Sequence, residues 1–90
     1  MNPSEKAELE GLVLEATAND FESLASMTPD IRKWASTEKL DVSDDQLGNA
    51  IEGLVQTRKL KVYRFSKATN RYEVANFSKK DIGDLWFRSK

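Results

Sequence analysis

The 90-residue chain reads as an α+β domain: a three-helix core, then a two-stranded antiparallel β-hairpin, then a short C-terminal segment. Three observations carry this reading. Near Arg58 the apolar period drops from about 3.6 to 2, so a helix hands over directly to a strand. Two further helical patterns lie upstream of it. Downstream, the turn residues Lys67-Ala-Thr-Asn70 split the alternating stretch into two strands.

The first helix is announced by Asn2-Pro3-Ser4-Glu5. Proline suits the first turn, Asn2 or Ser4 can accept from the orphan N–H groups, and Glu5 stands three residues after Asn2, as a capping box requires. The spacing predicts a helix to about Ala18 that turns Leu9, Leu12, Val13 and Ala16 inward, with Leu14 bordering the stripe. Gly11 weakens it by up to ~1 kcal/mol relative to alanine. Asn19-Asp20 breaks the pattern, and Phe21 is expected to enter the core from a short extended link.

From Ser23 the apolar residues Leu24, Met27, Ile31, Trp34 and Ala35 keep helical spacing. Pro29 would lose a hydrogen bond inside a helix and collide with the carbonyl of Ala25. The sequence therefore predicts a short helical turn at 23–27 and a helix at 29–36, with Thr28 as its cap and Pro29 at its first position. Trp34 shares a face with Ile31 and is expected in the core rather than as a ligand platform. Ser36 to Val42 is a polar connection in which Leu40 and Val42 plug the bundle.

Ser43-Asp44-Asp45-Gln46 is a capping box with carboxylates where a helix N-terminus is positive, so Asp44 and Asp45 read as stabilisers. In the third helix Leu47, Ile51, Leu54 and Val55 recur at i, i+4, i+7 and i+8, with Ala50 beside them. Its exposed positions are then Asp44, Asp45, Gly48, Asn49, Glu52 and Gln56. In the hairpin Leu60, Val62, Tyr72 and Val74 are expected to face the helices, leaving Lys61, Tyr63, Phe65, Arg71 and Glu73 outward. Arg64 falls on the inward parity near the tip, where its stem can pack while its guanidinium reaches water. Ser78 to Gly83 reads as one capped helical turn, and 84–88 reads as either helix or strand, with Gly83 and the aromatic pair Trp86-Phe87 favouring strand. The apolar run Leu85-Trp86-Phe87 implies docking, either on this sheet or on a second subunit.

The order helix, helix, helix, hairpin, together with the stretch AIEGLVQTRKLKVYRF, resembles the helix-to-wing junction of winged-helix domains: a Leu-Val pair, a short turn, then a basic-apolar strand. The resemblance spans about residues 5–77. It implies a winged-helix fold, with the third helix directed to the major groove of double-stranded DNA and the hairpin laid along the backbone or minor groove.

Composition narrows the function classes. With no cysteine and no histidine, the chain lacks disulfides, thiolate nucleophiles, imidazole bases and the usual zinc ligands. Neither a phosphate-cradling loop nor a metal or cofactor motif appears, so no cofactor, no metal and no enzymatic activity are expected. No stretch approaches the ~18 apolar residues of a membrane span. The polar, acidic start MNPSEKAELE lacks the features of a secretory signal, which makes the cytoplasm the expected location.

The net charge of −1 conceals a division: residues 1–57 hold twelve acidic against four basic side chains, a net −8, and residues 58–90 hold ten basic against three acidic, a net +7. Basic residues on exposed strands can simply block edge pairing; they can also form a binding surface. On the second account Arg58, Lys59, Lys61, Arg64, Lys67 and Arg71 contact phosphates, while Asn49 and Gln56 are the positions on the helix able to read adenine edges. Because three carboxylates accompany those two, the wing and not the helix leads any contact with DNA. The alternative is a protein-interaction module or homodimer, with Tyr63, Phe65, Leu85, Trp86 and Phe87 as contact residues.

Overall fold

Reciprocal caps start all three α-helices. Asn2 Oδ1 accepts from the Glu5 N–H at 2.8 Å while the Asn2 N–H donates to Glu5 Oε1 at 3.1 Å, and Ser23 with Ser26 and Ser43 with Gln46 repeat the exchange. The computed structural model describes residues 2–90. Its elements run α1 (Pro3–Ala16), β1 (Glu22–Ser23), α2 (Leu24–Thr37), α3 (Asp44–Gln56), β2 (Lys61–Ser66), β3 (Arg71–Val74), a 3₁₀ helix (Lys79–Asp84) and β4 (Trp86–Arg88). The fold is α+β, and the sheet is four-stranded and antiparallel throughout, in the order β1-β4-β2-β3.

Both α2 and α3 stop in the same way, with a basic residue in the left-handed region. Lys39 (φ 57°) and Arg58 (φ 61°) occupy that position. Around them Leu40 N–H bonds to Ala35 C=O and Lys39 N–H to Ser36 C=O, and Lys59 N–H bonds to Leu54 C=O and Arg58 N–H to Val55 C=O. This is the paired bonding of a Schellman motif, which satisfies the last carbonyls of each helix. Its consequence at Arg58 is a reversal tight enough for β2 to begin at Lys61, as the change of period predicts.

The core joins Leu9 and Val13 of α1, Met27, Ile31 and Ala35 of α2, the plugs Leu40 and Val42, and Leu47, Ala50, Ile51 and Leu54 of α3. Leu60, Val62, Leu85 and Phe87 close it from the sheet side. Residues opposite one another in an antiparallel pair share a face. Phe87 faces Val62 on β2 and Glu22 on β1, and Leu85 and Phe87 are both 0% exposed. The C-terminal run thus docks on the chain's own sheet, in its middle. Ser89 fastens it there, its N–H donating to Thr17 C=O at 2.9 Å and its Oγ to Leu14 C=O at 2.8 Å. These are carbonyls that the end of α1 leaves open.

Several expectations are corrected. α1 ends at Ala16, not Ala18, because the buried Thr17 turns its hydroxyl back onto Val13 C=O at 2.8 Å and caps it. α2 is one helix from Leu24, not a turn followed by a second helix: Ser23 is the cap, and Thr28 Oγ1 donates to Leu24 C=O at 2.6 Å. Pro29 is tolerated inside because both it and Ala25 are exposed, so water can reach the carbonyl left without its N–H partner. Trp34 is 36% exposed and lies outside the core; Met27, Ile31 and Ala35 form the buried face of α2. Gly48 is buried, and Phe21 is on the sheet's outer side instead of inside.

The largest correction is the parity of β3. The register pairs Tyr63 with Val74, Arg64 with Glu73, Phe65 with Tyr72 and Ser66 with Arg71. Tyr72 and Val74 therefore share the outer face with Tyr63 and Phe65, while Arg71 and Glu73 lie on the side of Val62 and Arg64. Val74 is 86% exposed. A one-residue change of register moves every side chain of a strand to the other face.

Candidate nucleic-acid interface

The basic residues of the hairpin are placed by three local features. The left-handed turn after α3 presents Arg58 and Lys59, both exposed. Strands β2 and β3 carry Lys61, Arg64 and Arg71, and the connecting turn, closed by Asn70 at φ 57°, holds Lys67 at the tip. All six are exposed. Among the described residues the ion pairs are Arg32–Asp44 and Arg64–Asp81, the latter at 3.6 Å. Among the described residues Arg58, Lys59, Lys61, Lys67 and Arg71 have no carboxylate within salt-bridge distance, which leaves their charge available to an anion.

Helix α3 is differently placed. A Cβ at Gly48 would lie 3.8 Å from Lys79 Cε and 3.9 Å from Ile82 Cδ1, so the 3₁₀ helix rests against the middle of α3. Asn49 Oδ1 accepts a hydrogen bond from Lys79 Nζ. Of the two positions expected to read base edges, Asn49 is therefore engaged by the chain itself, and Gln56 is exposed on the last turn beside Arg58. Asp44 and Asp45 occupy the other end of the helix. Between the end of α3 and the hairpin base lies an open groove of about 540 Å³, lined by Val55, Arg58, Lys61, Val74 and Phe77 among others.

The outer face of the sheet carries a second feature. Phe21 stacks on Tyr72 with ring centroids 3.9 Å apart and planes 11° from parallel. Tyr63 meets Phe21 edge-on at 4.8 Å, and Phe65 and Trp86 meet Tyr72 at 5.2 and 5.3 Å. Five of the chain's eight aromatic residues are gathered there. Arg88 places its guanidinium carbon 5.1 Å from the centre of the Phe21 ring, a cation–π geometry. Of the residues expected to contact a protein partner, Tyr63, Phe65 and Trp86 belong to this face, and Leu85 and Phe87 are buried beneath it.

Phe21, Tyr72 and Arg88 are members that the linear pattern does not reveal. The available signal was the turn length: a four-residue loop between Ser66 and Arg71 pairs odd positions with even ones, which places Tyr72 opposite Phe65.

Among the described residues no helix is long and apolar enough to cross a membrane, and no group of three or more His, Cys, Asp or Glu is placed to hold a metal ion. Comparison of the chain with protein-family models, curated proteins and solved structures finds no match.

Proposed function

We propose that this chain is a regulatory domain of winged-helix type that binds double-stranded DNA through its basic hairpin. The order α1-β1-α2-α3-β2-β3 supports the architecture. The observation that carries the function is the set of exposed cations on and beside the hairpin, Arg58, Lys59, Lys61, Lys67 and Arg71, none with a carboxylate within salt-bridge distance among the described residues. Arg64 joins them only in part, since it shares its charge with Asp81. Helix α3 does not lead, because Lys79 holds Asn49 and two carboxylates stand at the helix start. Contacts of this kind address phosphates and carry little sequence information.

Fluorescence anisotropy with a random duplex tests the reading. If the hairpin neutralises about four phosphates, raising salt from about 50 to about 200 mM weakens binding about 150-fold. Charge reversal at Lys67 and Arg71 by K67E and R71E abolishes most of the affinity and flattens that dependence. No binding at the lower salt, or unchanged affinity in the double variant, refutes the proposal.

A further inference from the structure

The outer side of the sheet is an unusual surface for a small domain. Read through the register, its positions are Phe21 and Ser23 beside β1, Trp86 and Arg88 on β4, Lys61, Tyr63 and Phe65 on β2, and Tyr72 and Val74 on β3. None of these is a carboxylate, in a chain whose acidic residues outnumber its basic ones by 15 to 14. A solvent-facing sheet surface is ordinarily polar; this one is aromatic and cationic. Phe65 is 41% exposed, Val74 is 86% exposed, and Tyr63, Tyr72 and Trp86 are half-buried.

One pairing on this face points to an anion. Lys61 and Arg88 are directly opposite each other across β2 and β4, and like charges in that position destabilise a sheet. Neither has a carboxylate partner within salt-bridge distance among the described residues. A bound phosphate between them would turn the repulsion into two charge-assisted contacts. From Lys61 to Phe65 the strand rises about 13 Å, so that phosphate site and the exposed Phe65 ring are separated by the length of about four stacked bases at about 3.4 Å each.

We propose that this face binds single-stranded nucleic acid, with phosphate held between Lys61 and Arg88 and unpaired bases stacked on Phe65 and Trp86. The chemistry matches on both counts: aromatic rings take the π-face of any base without selecting sequence, and the flanking cations take the backbone. The stacked pair Phe21–Tyr72 and the edge-to-face contacts of Tyr63 and Trp86 with it hold the rings in place before binding, which lowers the ordering cost. A duplex presents no free base faces, so this site is separate in kind from the hairpin's contact with double-stranded DNA.

The test uses the full chain carrying W34F, which leaves Trp86 as its single tryptophan. A twelve-nucleotide oligo-dT is titrated at about 50 mM salt, following both anisotropy of labelled oligonucleotide and emission of Trp86. Binding is expected to quench Trp86 in step with the anisotropy. F65A, at an exposed position, is expected to weaken binding about 5- to 150-fold with an unchanged thermal melt, and K61E to weaken it and reduce its salt dependence.

Absence of binding, binding without a change in Trp86 emission, or wild-type affinity in F65A overturns the proposal. So does a doubled mass in light scattering that F65A returns to monomer while oligo-dT stays unbound, since the face is then a contact between copies. Duplex bound with oligo-dT unbound removes this site and leaves the hairpin reading standing; oligo-dT bound with duplex unbound does the reverse.

Discussion

Replacing Phe87 by alanine probes the feature on which the architecture turns, a C-terminal strand lodged in the middle of the sheet. Phe87 is 0% exposed, faces Val62 and Glu22 across its two neighbours, and lies 6.4 Å from the ring of Phe77. Truncating a fully buried phenylalanine costs about 3–5 kcal/mol, the lost transfer energy plus the cavity left behind. A domain of this size has a total stability of roughly 5–13 kcal/mol, so F87A removes a quarter or more of it. At about 4–8 °C per kcal/mol, the midpoint of thermal unfolding falls by at least about 12 °C. Urea denaturation followed by far-ultraviolet circular dichroism measures the change directly. A loss below about 1 kcal/mol would mean that residue 87 is not in the core, and the β1-β4-β2 arrangement would fall with it.

Three further substitutions test the corrected elements. V62A and V74A distinguish the two faces of the hairpin: with Val62 at 6% and Val74 at 86% exposure, urea midpoints should show about 1–2 kcal/mol lost for the first and less than about 0.5 kcal/mol for the second, and equal losses would contradict the register. P29A restores the N–H that Ala25 C=O lacks and, after allowance for the more flexible unfolded chain, should stabilise α2 by about 1–2 kcal/mol in a thermal melt; destabilisation would place Pro29 at a helix start after all.

Local chemistry made much of the fold legible. The caps at Asn2 and Ser43, the plugs Leu40 and Val42, and the handover at Arg58 all depend on neighbours within five residues, and each is found where its residues predict it. Pro29 misled because the rule against proline in helices concerns a lost bond, and at an exposed carbonyl that loss is small enough for packing of Met27 and Ile31 to override it. Tyr72 and Val74 misled for a different reason. Alternation identifies which residues share a face but not which face is buried, and here the outer face is itself apolar. Only the count of loop residues fixes the parity, and that count opposes the hydrophobic reading. Of the candidate site, the hairpin cations were legible in the sequence. The aromatic face was not, because its members Phe21, Tyr72 and Arg88 are brought together by β4 entering between β1 and β2, an event that no local spacing encodes.

That insertion also gives the charge division its spatial form. The first 57 residues, net −8, build the three helices and the short β1; residues 58–90, net +7, build the other three strands and the 3₁₀ helix. Because β4 occupies the sheet's interior, Arg88 stands beside Lys61 instead of trailing free, and β3 becomes an edge from which Arg71 and the turn with Lys67 project. A polyanion approaching the sheet meets cations first and the helices' carboxylates last, which favours that encounter over one led by α3. The same arrangement opposes like charges at Lys61 and Arg88 across β2 and β4, a cost that the free protein eases by laying the Arg88 guanidinium over the Phe21 ring. A ligand carrying phosphate relieves that cost, whereas an apolar partner covering the face would deepen it by desolvating both cations; this is the physical reason to prefer nucleic acid over a second copy as the occupant of the outer face.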